Sequence, residues 1–140
     1  MKTLLFIFIT GISFFSFPDT EKRITAELTN VVYYSKGICK DSSLVYVRVL
    51  YKVRGEKPER LKMKHDFQNG ITSTMPVTEI DKKGNFVFGF CLGHSETKEF
   101  STTFISTNGK SSNPVNVKID VVHANIISGT APHTIKYKNQ

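Results

Sequence analysis

Tryptophan is absent from this chain, cysteine occurs only twice, and there is no run of five or six like charges. The missing charge run removes the usual electrostatic footprint of a nucleic-acid-binding segment. There is no Gly-x-Ser-x-Gly elbow to present a nucleophilic serine. There is also no glycine loop to cradle phosphate, and the glycines fall at turns. Acidic residues are scattered, so neither a calcium loop nor a glycosidase-type carboxylate pair can be assembled from neighbouring positions. Without an Asn-x-Ser/Thr sequon, N-glycosylation is not expected. Together these absences argue against an enzyme, because an active site would have to be gathered from distant residues. No cofactor and no metal is expected.

What is present suits one small domain. The 140 residues are 39% hydrophobic, and 11 Phe and 5 Tyr carry much of that. Nineteen Lys and Arg stand against twelve Asp and Glu, a formal charge of +7, spread along the chain. That is a mild bias towards an acidic partner, such as an anionic glycan or surface, with no specific nucleic acid implied.

Residues 1–17 read as a signal peptide. Lys2 is a short positive start, residues 4–15 form an apolar stretch broken only by Thr10, Gly11 and Ser13, and polar sequence follows Pro18. A dozen apolar residues are too few to cross a bilayer comfortably. A buried N-terminal strand and an uncleaved anchor are the alternatives. The expected location is therefore extracellular or periplasmic, with no transmembrane segment in the mature chain.

Beyond this segment the sequence is punctuated at short intervals, and the pieces between read as strands. They cover 24–34, 44–53, 61–67, 71–80, 86–91, 98–107 and 115–119. The clearest is the second, where Val45, Val47, Val49, Tyr51 and Val53 share one face, while Tyr46, Arg48 and Lys52 share the other. Leu61, Met63, His65 and Phe67 alternate with Lys62, Lys64 and Asp66. Pro76 marks its segment as an edge strand or a bulge, since proline has no N–H for the ladder. Asn108-Gly109 signals a hairpin. The expectation is an all-β domain over 22–122, a seven-stranded antiparallel sandwich, followed by a loosely ordered tail over 123–140.

Seven strands of this length look like an immunoglobulin-like or fibronectin type III-like sandwich, and the stretch Phe104-Ile105-Ser106-Thr107-Asn108-Gly109-Lys110-Ser111-Ser112-Asn113-Pro114-Val115-Asn116-Val117 resembles the sixth-strand, turn, seventh-strand hairpin of fibronectin type III-like domains. The chain departs from that pattern in having no core Trp and no Tyr before the turn. The resemblance implies adhesion or interaction roles by analogy. It also implies that strands one, two and five lie side by side, which would bring Cys39, ahead of strand two, near Cys91, at the end of strand five. An even cysteine count in a secreted chain favours a bridge. Two unpaired buried thiols are the alternative.

Cys91-Leu92-Gly93-His94 has half-zinc-site spacing, with only Cys39 and His65 to complete it. His65 lies on an apolar face, where a lone imidazole is usually structural. Lys62, Lys64 and Lys118 alternate outward and are candidates for a basic patch towards an anionic partner. The plainer reading is a solvated face with edge-protecting lysines. Tyr46 and Arg48 are interface-prone residue types. The expected function is a secreted, non-catalytic binding or adhesion module acting through a sheet face or loops. The alternative is a structural subunit or inhibitor that engages by strand addition at the Pro76-bearing edge.

Overall fold

A computed structural model describes residues 22–137. The signal-peptide segment, 1–17, lies outside the described residues. Ten strands follow in order: β1 Thr25–Lys36, β2 Leu44–Arg54, β3 Leu61–Phe67, β4 Thr72–Pro76, β5 Glu79–Ile80, β6 Phe86–Gly93, β7 Thr97–Ser106, β8 Val115–Asp120, β9 Ile126–Thr130 and β10 Ile135–Lys136. Among the described residues the single helical element is a 3-10 turn at Pro58–Arg60. Among the described residues no helix is long and apolar enough to cross a membrane.

The strands form two sheets. One has the order β10-β5-β6-β2-β1-β9 and the other β4-β3-β7-β8. Alternation explains how they stack. Val45, Val47, Val49 and Tyr51 on one face of β2 are fully buried, as are Met63 and His65 of β3 and Thr102 and Phe104 of β7. With Val115, Val117 and Ile119 of β8 these side chains fill the space between the sheets, so the fold is an all-β sandwich. Tyr51 and Phe104 meet edge to face across it, with ring centroids 5.3 Å apart. The Asn108-Gly109 signal is realised as a turn after β7: Gly109 has φ 84° and its N–H donates to the Ser106 carbonyl at 2.9 Å. From the connection beyond it, Asn113 reaches back to β1. Its Oδ1 accepts from Ala26 N–H at 3.0 Å and its Nδ2 donates to Ala26 O at 2.8 Å, so one amide side chain stands in for a paired strand residue.

Four expectations are corrected. Among the described residues the strands number ten, not seven. The segment 71–80 is two strands in different sheets: β4 ends at Pro76, Val77 donates to the Leu61 carbonyl at 3.2 Å, and β5 then joins β6 in the other sheet. Pro76, opposite Lys62, takes a position whose N–H would face the open edge, so the ladder continues to Val77 before the chain crosses over. The region after Val122, expected to be loosely ordered, carries β9 and β10 at opposite edges of the larger sheet. β9 pairs in parallel with β1, Tyr33 opposite Ile126 and Tyr34 opposite Ile127, so the sandwich is not wholly antiparallel.

Candidate functional site

The register places four connections at one end of the sandwich. β2 begins where β6 ends, Leu44 opposite Gly93, and β3 ends where β7 begins, Phe67 opposite Phe100. The β6–β7 turn is tied by Glu96 N–H to Gly93 O at 3.2 Å, and Gly93 N–H donates in turn to Glu96 Oε2 at 3.0 Å. The β1–β2 loop, the β3–β4 turn and the β8–β9 connection share that end. Each carries an exposed aliphatic side chain: Ile38, 80% exposed, Ile71 and Val122. Beside them Lys98 Nζ lies 5.2 Å from the Phe67 ring centroid.

Cys39 and Cys91 are disulfide-bonded, with Cα atoms 5.9 Å apart and a sequence separation of 52. β1, β2 and β6 do lie side by side, and the bridge ties the β1–β2 loop to β6 across β2. Bridging consumes the Cys91 sulfur, so the Cys-x-x-His spacing to His94 is not half of a metal site. Among the described residues no group of three or more His, Cys, Asp or Glu is placed to hold a metal ion. A disulfide points to an oxidising compartment.

Lys62, Lys64 and Lys118 lie on the outer face of the smaller sheet, with β7 between their strands. They do not form a uniformly positive patch. Lys64 Nζ lies 3.3 Å from Asp66 Oδ1, and Lys118 Nζ lies 3.6 Å from Glu99 Oε1, the residue opposite it on β7. Above all the hydrogen bond from Thr72 Oγ1, and then Lys64, hold the Asp66 carboxyl below its ordinary value.

Tyr46 and Arg48 lie on the outer face of the larger sheet, yet they are only 6% and 4% exposed. They are not an open interface. The segment linking β9 to β10 passes over them, and Arg48 Nη1 donates to Pro132 O at a long 3.5 Å. Gly37 and Gly89 let the Tyr46 ring lie flat against backbone, since a Cβ at either would collide with that ring. Burial, chiefly, pushes the Tyr46 hydroxyl pKa up.

A polar chain in the core was not anticipated. Tyr51 Oη lies 2.7 Å from Thr102 Oγ1, which lies 2.9 Å from His65 Nδ1. The His65 ring stacks on Phe88, centroids 4.1 Å apart, and meets Phe100 edge-on. Its Nε2 has no partner. Fewest groups are orphaned if Tyr51 donates to Thr102 and Thr102 donates to Nδ1, leaving a single unpaired N–H at Nε2. A second ring proton would have to displace the Thr102 donor. Burial drives the His65 pKa down to about 4, against a smaller opposing pull from Asp66. Thr102 was legible as an inward residue of β7, but its pairing with His65 depends on register.

Comparison of the chain with protein-family models, with curated proteins and with solved structures finds no match.

Proposed function

We propose that this protein is a secreted, non-catalytic binding module built on an immunoglobulin-like plan, and that it meets a partner protein with the disulfide-tied loop end. The observation that carries this reading is the placement of Ile38, Ile71 and Val122, three exposed aliphatic side chains on three separate connections at one end. Single exposed apolar residues need no explanation. Three at one loop cluster lie on connections positioned by a bridged scaffold, where binding residues are disproportionately found. The order β5-β6-β2-β1 against β4-β3-β7-β8 supports the immunoglobulin-like reading.

The test replaces the loop tips together, Ile38→Ser, Ile71→Ser and Val122→Ser. A second variant, with Lys62, Lys64 and Lys118 changed to Glu, serves as the comparison. Exposed positions of this kind usually shift stability by less than about 0.5 kcal/mol each. Immobilised wild type is expected to retain proteins from its native extracellular or periplasmic fluid that the loop variant releases and the lysine variant keeps. Equal retention by wild type and loop variant would reject the loop end. Loss in the lysine variant alone would move the binding surface to the outer face of the smaller sheet.

A second reading has its own observation: β4, the strand ending at Pro76, is an edge of the smaller sheet, and an edge strand offers unpaired backbone groups to an added strand. If copies pair this way, light scattering will give a dimer mass that grows with concentration. A monomer mass throughout counts against self-pairing at that edge.

A further inference from the structure

β6 carries an unguarded strand edge. On one side it pairs with β2 along its length, from Phe86 opposite Tyr51 to Gly93 opposite Leu44. On the other side only Phe86 has a partner among the described residues, Ile80 of β5. Successive residues of an antiparallel strand turn their N–H and C=O groups to alternate sides. The Asn85 carbonyl accepts from Asp81 N–H at 2.9 Å on the β5 side. By alternation Gly89 and Cys91 present their backbone groups to that side too, away from β2. Among the described residues no strand lies alongside them there.

Sheets ordinarily blunt such an edge with charge or proline. β4 ends in Pro76, and β8 carries Lys118 and Asp120. β6, with the sequence Phe-Val-Phe-Gly-Phe-Cys-Leu-Gly, has neither a charged residue nor a proline. Phe88 and Phe90 point towards the core, opposite Val49 and Val47. Those valines are fully buried, yet both phenylalanines are only partly so. Their rings, with centroids 5.0 Å apart, line the flank of the sandwich. On the other face of the strand, beyond Val87, stand Gly89, Cys91 and Gly93, which offer little side chain to obstruct a neighbouring backbone.

We propose that this edge takes a strand from a partner protein, an extended segment apolar at every second position. The segment pairs with Gly89 and Cys91 and lays its apolar side chains on Phe88 and Phe90. A second copy of this chain fits badly. β5 and β10 form a ledge two strands wide beside Phe86. Two-fold pairing of β6 with β6 would drive each copy's ledge against the other's β6–β7 turn. Both copies would also carry +7. A lone strand meets neither obstacle. The edge is not that of β4, and it stands whether or not the loop tips bind a partner.

The test follows the backbone amides of the isotope-labelled full chain by NMR, first alone. The amides of Gly89 and Cys91 are expected to exchange with solvent at least about tenfold faster than those of Phe88 and Phe90, which face β2. The chain is then titrated with the peptide acetyl-Thr-Val-Thr-Val-Thr-Val-Thr-amide. Gly89 and Cys91 are expected to shift, to saturate with a midpoint below about 1 mM, and to gain protection. Two N-methylated peptides, one methylated on the valine amides and one on the threonine amides, separate strand pairing from apolar contact. One of them should bind at least about tenfold more weakly than the parent, having lost its donors to β6, and the other about as well as the parent. Loss on methylating threonine marks antiparallel addition, and loss on methylating valine marks parallel addition. Equal effects of the two methylations, or absence of saturation, overturn the proposal. So does slow exchange at Gly89 and Cys91 in the free chain, which would mean that a second copy or another segment already covers the edge. Movement at Thr72–Pro76 in place of Gly89 and Cys91 assigns the added strand to β4 and also overturns it.

Discussion

Replacing Cys39 and Cys91 together with alanine is expected to lower the unfolding free energy by about 4 kcal/mol. The bridge closes a chain segment with a separation of 52 residues, and cross-linking a loop of that length removes about this much entropy from the unfolded chain in the chain-entropy model. Small domains are stable by only about 5–15 kcal/mol, so the loss is a large share of the margin. It should be visible in guanidinium denaturation as a lower midpoint, and treatment of the wild type with reductant should reproduce it. A fall of less than about 1 kcal/mol would mean that the β1–β2–β6 ladder already restricts the unfolded chain, or that the bridge stabilises little.

Stability should also fall as acid is added, well before the carboxylates are neutralised, and His65 should be responsible. Its ordinary pKa is 6.5 and burial among Phe88, Phe100 and Thr102 lowers it to about 4 in the folded chain. The unfolded chain therefore takes up a proton that the folded chain refuses, between those two values. The contribution is fully present above pH 6.5, declines as pH drops through the window, and is lost by about pH 4. At about 1.4 kcal/mol per pH unit the difference amounts to about 3 kcal/mol. Denaturation curves from pH 8 to pH 4 should show this slope in the wild type. His65→Gln, though less stable at pH 7 because it leaves part of the ring's space empty, should show a flatter profile from pH 6.5 to 4.5. Parallel profiles for the two proteins would assign the acid sensitivity elsewhere. The lowered carboxyls of Asp66 and Asp120 are held by hydrogen bonds from Thr72 and His123, and as carboxylates they dominate only at the acid end of that range.

Both predictions rest on features of differing visibility in the chain. Val45, Val47, Val49 and Tyr51 announce β2 by their spacing alone, because strict alternation of apolar residues has only one comfortable backbone. Phe100 and Phe104 do the same for β7, and the bridge followed from placing Cys39 and Cys91 beside neighbouring strands. Pro76 was correctly an edge marker, but its neighbours Met75 and Val77 gave no sign that the chain changes sheets between them. The largest misreading lay after Val122. Ile126 and Ile127 are two β-branched residues in a short stretch rich in Gly, Pro and His, too brief to show a period. Their strand exists because β1 runs on to Lys36 and presents an open edge. The burial of Arg48 is hidden from the sequence in a similar way: alternation says which side of a sheet a residue takes, but not whether another segment covers that side.

β9 adds to β1 in parallel, and its residues come some ninety positions later, with Tyr33 paired to Ile126. A chain that emerges N-terminus first must therefore hold one margin of its larger sheet bare until some ninety further residues have been delivered. During that interval the free backbone of β1 is a template for any extended segment nearby, including one from another emerging copy. β9 thus acts as a closing seam, and the timing of its arrival sets how long the half-made domain is open to mispairing.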